Sequence, residues 1–146
     1  MAPEQTVIWM CAGDRNGLHY PRDRETNAEA PMPDLPTRRM GKTEMSPRSL
    51  ALGAAWLNRQ PRNEAVGAIR RALELGIDYI DTYPGHNEQY WGEALSGAPR
   101  DDYYLQAKVG THPERRKDFS AETARWSVTN SLRDLRVDYL DAVLIH

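Results

Sequence analysis

The 146-residue sequence holds a single cysteine, Cys11. One thiol excludes an internal disulfide framework and a cysteine-rich zinc site. Its four histidines are dispersed and give no metal-ligand spacing beside that one cysteine, so no metal is expected. Long apolar runs are missing as well. No stretch approaches the roughly 20 apolar residues that span a bilayer. The apolar run at 7–12 is too short for a signal-peptide core and follows no basic segment. A cytoplasmic protein without a membrane partner is the expectation. Charge of one sign is also lacking: 19 Lys and Arg stand against 21 Asp and Glu, a net charge of -2. With a pI near 6.1, nothing suggests the basic face that nucleic acid or an anionic membrane needs. Aromatic and basic residues do not interleave as in a single-strand binding groove. No G-x-G-x-x-G follows a predicted strand, which removes support for a Rossmann dinucleotide site. No phosphate-cradling G-x-x-x-x-G-K-[ST] loop and no H-E-x-x-H helix is present either.

What remains is the composition of one soluble globular domain, 40% hydrophobic and 27% charged. Residues 1–31 differ from the rest. They scatter Gly13, Asp14, Asn16, Gly17, Pro21, Asp23, Asn27 and Pro31 through a segment with neither helical nor strand period. They are expected to be a disordered or spurious extension rather than a docking arm, and Met32 opens the domain, 32–146.

From Leu35 the texture changes. Residues 37–40, a Gly41-Lys42 turn and the residues after it predict a short hairpin, weakened by Pro47 in its second strand. A short apolar run at 50–53 predicts a buried strand. Asn63 is placed to cap a helix from Glu64, with Val66, Ile69 and Leu73 at helical spacing and Gly76 ending it. Strands are predicted at 77–81, 103–109 and 139–145, and a short helix at 88–95. Ser120 is placed to cap a long helix with Ala121, Ala124, Val128, Leu132 and Leu135 on one face. Strand and helix alternating at roughly 30-residue spacing is the pattern of parallel βαβ units, shared by the open doubly wound sheet and the closed (β/α)₈ barrel.

Three predicted strands end in an ionisable residue: Asp81, Lys108 and His146. In a parallel barrel such ends converge on the face where active sites sit. Each alone could be an ordinary strand end facing solvent. On three successive strands they form a constellation, in which Asp81 and Lys108, from neighbouring strands, can offset the cost of burying charge.

The local strings carry a resemblance. Arg38-Arg39-Met40-Gly41-Lys42-Thr43 and Leu50-Ala51-Leu52-Gly53 resemble the opening of bacterial aldo-keto reductases. The run from Arg70 through Leu75-Gly76-Ile77-Asp78-Tyr79-Ile80-Asp81-Thr82 resembles that family's first helix and second strand. Trp91-Gly92-Glu93-Ala94-Leu95 is similar to the segment after its active-site loop. Tyr104-Leu105-Gln106-Ala107-Lys108-Val109-Gly110 resembles the third strand, and Val137-Asp138-Tyr139-Leu140-Asp141 with Leu144-Ile145-His146 the fourth. The resemblance runs from about Leu35 to His146. It implies an incomplete (β/α)₈ barrel of about four parallel strands and three helices, the N-terminal half of such a domain.

The resemblance further implies hydride transfer between NADP(H), or NAD, and a carbonyl or alcohol. Carried over by position, Lys108 would lower the pKa of a proton donor, Asp81 would pair with the lysine and His146 would orient the carbonyl. Gly53 and Asp81 are the cofactor-side positions. The loop at 111–119 looks most like the sugar-oxidising aldose or galactose dehydrogenase branch, so a small carbonyl compound or a sugar is the implied substrate.

Two departures qualify this. The family's donor tyrosine stands five residues after the aspartate, where this sequence has His86; Tyr83 and Tyr90 flank the position, and the loop is about two residues shorter. Family contacts to the cofactor beyond strand four have no counterpart in these residues, so binding by the chain alone is expected to be weak or absent. The rival expectations are a non-catalytic half-barrel that self-associates or binds another chain through open sheet edges, and a truncated product without function. Trp56, Trp126 and the basic run Arg115-Arg116-Lys117 are expected to pack locally or face solvent.

Overall fold

The computed structural model describes residues 35–146. The extension expected over 1–31 therefore lies outside the described residues. Four strands, β1 (Ala51–Gly53), β2 (Tyr79–Asp81), β3 (Tyr104–Val109) and β4 (Ala142–Ile145), form one sheet in the order β1-β2-β3-β4. Every pairing is parallel. Four α-helices join them: α1 (Ala54–Leu57), α2 (Arg62–Glu74), α3 (Glu88–Leu95) and α4 (Ala121–Leu135). Single 3₁₀ turns at Arg100–Asp102 and Pro113–Arg115 flank β3. This is the α/β arrangement expected of a partial barrel, with the one-turn α1 added to the three predicted helices.

The differences at the element ends have local causes. Gly76, at φ +81°, lets its own N–H reach the Leu73 carbonyl and the Ile77 N–H reach Ala72. That closes α2 in a left-handed cap and delays β2 to Tyr79. β4 begins at Ala142 rather than 139 because the Asp141 carboxylate accepts the Leu105 N–H at 2.8 Å, in place of a strand carbonyl. α2 starts at Arg62 behind Pro61, two residues before the expected boundary, and no side chain caps it. Ser120 does cap α4, accepting from the Thr123 N–H at 3.2 Å.

The expected hairpin is reduced to one antiparallel bridge, Thr37 to Arg48. Pro47 has no N–H to give, but its carbonyl accepts from Arg38 at 2.9 Å. Gly41 turns the loop at φ +59°. The loop then braces the N-terminal ends of the strands, because Arg48 N–H donates to Asp78 and Ser46 N–H to the Tyr104 hydroxyl.

Two sides of the sheet differ. Ile80, Leu105 and the helix residues Val66, Ile69, Trp91, Leu95 and Leu135 form the apolar core between sheet and helices. By the strand period of two, Tyr79, Asp81, Gln106 and Lys108 take the opposite face. The buried stripe of α4 corrects the sequence expectation: it is Thr123, Ser127, Ser131 and Leu135, with Ala121 exposed. The apolar alternation of Ala124, Val128 and Leu132 covers only half-buried positions. The hydroxyls are buried because each has a polar partner: Asp118, the Lys108 carbonyl and Glu88 respectively. Close approach of α3 and α4 depends on Gly92, where a Cβ would collide with the Asp134 carbonyl oxygen.

Candidate active site

The register sets the C-terminal strand ends side by side. Gly53 pairs with Asp81, and Asp81 with Gln106. One strand on, Lys108 pairs with Leu144 and Val109 with Ile145. The His146 N–H continues that ladder by donating to the Val109 carbonyl at 3.1 Å.

Asp81 and Lys108 form an ion pair, with their side chains only 15% and 9% exposed. Burial of this degree is tolerated because each partner has further hydrogen bonds. Gln106 Nε2 donates to the same carboxylate oxygen at 2.6 Å, and the Gln106 carbonyl oxygen Oε1 accepts from the buried Tyr79 hydroxyl at 2.8 Å. Lys108 Nζ also donates to the Thr82 backbone carbonyl at 2.8 Å. Two of the three ammonium protons are thus engaged, and a third remains for another acceptor. Burial, together with the negative charges of Asp81 and Asp141, pushes the Tyr79 phenol above its ordinary range. Tyr79 is therefore a neutral donor at the far end of a Tyr79–Gln106–Asp81–Lys108 chain.

The loop between β2 and α3 brings the Tyr83 ring over the ammonium. The Tyr83 ring centroid lies 5.7 Å from Lys108 Nζ, 4.8 Å from the His86 ring and 5.8 Å from the His146 ring. The structure thus groups Tyr83 with Asp81, His86, Lys108 and His146. Tyr90, the other tyrosine flanking the short loop, packs instead against the apolar core. His86 is exposed, and its imidazole is held below the ordinary histidine range by burial first, then by Arg116 and His112. Lys108 is not among the causes of that shift.

A cofactor ring would need bare backbone beside these groups. Gly53 meets that need, since a Cβ built there contacts nothing within 4 Å. It sits at the mouth between β1 and β2, next to Asp81. The open space beside Asp81 leaves room for a planar ring against the strand ends. Among the described residues no His, Cys, Asp and Glu group could hold a metal ion.

Sequence reasoning passed over four members of this network. Gln106 and Tyr79 were legible from strand alternation, since both share the face of Asp81 and Lys108. Thr82 acts largely through its backbone carbonyl, which no residue type signals. Glu88 is 1% exposed and was read only as the start of a helix. The residues expected to be unremarkable pack locally: Arg59 covers Trp56 at 4.4 Å, and Trp126 lies against His112 and Arg115. Arg115 is more engaged than a solvated loop residue, bonding Glu122 and Thr123. No helix among the described residues is long and apolar enough to cross a membrane.

The aldo/keto reductase family model matches residues 49–146. L-galactose dehydrogenase of Arabidopsis thaliana is 33% identical over 125 residues, covering 79% of this chain and 39% of that protein. The NADH-specific methylglyoxal reductase of Escherichia coli is 31% identical, covering 77% of this chain and 39% of its own length. Among solved structures, one assigned to the aldo-keto reductases, from Pseudomonas aeruginosa, superposes with a TM-score of 0.71 at 32% identity, over 84% of this chain and 50% of that one. A holo-form aldo-keto reductase from Bacillus halodurans gives 0.67 at 30% identity, over 77% and 40%. The chain spans about two fifths of the length of the curated relatives it matches.

Proposed function

This chain belongs to the aldo/keto reductase family of oxidoreductases, and we propose that its site transfers hydride between NADP(H) and a small carbonyl or alcohol substrate, such as a sugar. One observation carries the reading: a buried Lys108–Asp81 pair lies under the ring of Tyr83, within the same cluster as His86 and His146. When bound, the nicotinamide supplies or takes the hydride. Gly53 and Asp81 would hold it at the mouth between β1 and β2. NAD serves the same chemistry, and the relatives' names include both preferences: one is NADH-specific and another, a glycerol dehydrogenase of Hypocrea jecorina, uses NADP.

The work of the protein residues is proton handling. Reducing a carbonyl puts negative charge on its oxygen, which must receive a proton from a positioned acid. A phenol near pKa 10 is a reluctant donor, and an adjacent ammonium favours its ionised form and brings it into useful range. Lys108 is the ammonium, Asp81 pairs with it, and His146 orients the carbonyl oxygen. His86 occupies the donor's position by sequence. Tyr83 is a second donor, favoured by its ring standing between Lys108 and both histidines. The enzyme is proposed to be cytoplasmic and to act on small molecules.

The described residues supply only Gly53 and Asp81 on the cofactor side, so the 146-residue chain alone is proposed to bind NADPH weakly or not at all. Fluorescence titration tests this, and a micromolar or tighter dissociation constant would overturn it. Joined to the C-terminal portion of an aldo-keto reductase, the chain should consume NADPH with carbonyl substrates, and Lys108→Met should abolish that. An unaffected Lys108→Met variant would remove the catalytic reading. A second reading, association through an open sheet edge, is favoured by β4, where Val143, Leu144 and Ile145 are 47%, 44% and 76% exposed.

A further inference from the structure

Glu88 is a carboxyl group almost wholly removed from water, at the first residue of α3. Among the described residues no cation pairs with it. Its partners are three donors from separate places: the Thr82 hydroxyl at 3.0 Å on Oε1, the Ser131 hydroxyl of α4 at 3.0 Å on Oε2, and the Gly85 N–H. The carboxyl therefore ties the first residue of the loop, the middle of the loop and α4 together. That loop carries Tyr83 and His86.

With Glu88 ionised, the two contacts of the Thr82 hydroxyl cannot both be hydrogen bonds. Thr82 Oγ1 lies 3.0 Å from Glu88 Oε1 and also 3.0 Å from the Gln106 backbone carbonyl. Both are acceptors, and a hydroxyl has one proton. A proton on Glu88 resolves the count. Glu88 then donates to Thr82 Oγ1, and Thr82 donates to Gln106. Without it, Thr82 must turn its proton to Glu88 and leave Gln106 with only the Thr82 N–H, at 2.8 Å. Thr82 is also the residue whose backbone carbonyl holds the Lys108 ammonium.

We propose that Glu88 is a positioning residue for Lys108, acting through Thr82, and that its protonation state resets the hydrogen bonds that hold the ammonium and the Tyr83–His86 loop. This deepens the reading of Lys108 as catalytic and rests on it only for its functional meaning. Among the described residues, the groups facing the carboxyl come from three elements. From the loop come Thr82 and the Gly85 N–H; from α4, Ser131 and Asp134, the latter engaged by Arg133 and Gln89; from β3, Lys108 beyond the Thr82 carbonyl. Burial, reinforced by Asp134, outweighs the three donors and raises the carboxyl to about 7, so the switch falls in the neutral range.

The test needs no substrate, so it stands or fails apart from the proposed activity. In the full chain, NMR would follow the 13C-labelled side-chain carboxyl of Glu88 and the ε-CH₂ of Lys108 from pH 5 to 9. The Glu88 signal, assigned by its loss in Glu88→Gln, should titrate near neutrality, and Lys108 should show a step at the same midpoint. Glu88→Gln keeps a donor toward Thr82 and should fold while losing the Lys108 step. Ser131→Ala removes a bond that favours the charged form, so both midpoints should move upward together. A Glu88 signal that titrates below pH 5, or a Lys108 step unmoved in Ser131→Ala, would overturn the proposal.

Discussion

Gln106 and Lys108, two residues apart on β3, donate to the same oxygen of Asp81. The strand period puts both side chains on one face, and the register brings Asp81 opposite Gln106. The aspartate is therefore held from two directions before any ligand arrives. Asp81→Ala should leave a buried ammonium with only the Thr82 carbonyl, and such losses cost about 3–5 kcal/mol. Denaturant unfolding at a fixed protein concentration measures this. The double variant Asp81→Leu with Lys108→Met should recover most of the loss, whereas an additive pair of losses would mean that the two residues do not depend on each other.

The strands, the Ser120 cap and the three ionisable strand ends were legible because each leaves a local mark: an apolar run, a hydroxyl before a helix, a charge after apolar residues. The α4 face was not. Thr123, Ser127 and Ser131 read as the solvent side of an amphipathic helix. They are buried through partners 5, 19 and 43 residues away, the last two beyond any local window. Glu88 escaped for the same reason, its burial being the work of Ser131 and Thr82.

Glu88 makes stability depend on pH in an unusual direction for a carboxylate. Its folded value of about 7 lies above the ordinary 4.5. The native state therefore binds the proton more tightly than the unfolded chain. Its contribution is full below about pH 4.5 and is lost as pH rises through about 7, an effect of about 3 kcal/mol. His86, whose folded value is depressed, works oppositely, losing stability as pH falls. Subtracting the Glu88→Gln profile isolates the glutamate. Midpoints of chemical denaturation should fall from pH 5 to 8 in the parent and much less in the variant; parallel profiles would contradict this assignment.

Gly92→Ala should destabilise the chain, although alanine is the better helix former. The added methyl meets the backbone oxygen of Asp134 and the backbone of Leu135, which cannot rotate aside as a side chain would. Overpacking of this sort costs about 1–3 kcal/mol, against roughly 1 kcal/mol gained in helix propensity. A denaturation midpoint equal to or above the parent's would show that α3 and α4 separate without penalty.

The exposed β4 edge predicts association. Ile145, 76% exposed, lies on a strand with no sheet neighbour beyond it among the described residues. Such edges pair with other chains unless charged. Sedimentation should find the parent chain self-associated and Ile145→Lys shifted toward monomer. A parent chain that sediments as a monomer and melts cooperatively would remove the case for an open edge.

His86→Tyr addresses the proton donor directly. His86 stands where the family's tyrosine is expected, but burial and Arg116 disfavour its protonated form. Only that form can give up a proton at neutral pH, and it is scarcer there than for a free imidazole near 6.5. Its activity as an acid should therefore fall as pH rises through a midpoint below 6.5. A phenol at the same place would be proton-bearing across the neutral range. In the chain joined to the C-terminal portion of an aldo-keto reductase, His86→Tyr should raise carbonyl reduction at least roughly tenfold, within the 10²–10⁴-fold of a positioned acid. It should also flatten the profile between pH 6 and 8. NADPH consumption from pH 5 to 9 reads both effects. If the variant is no faster while Tyr83→Phe abolishes turnover, the donor is Tyr83, the ring already placed between Lys108 and the two histidines.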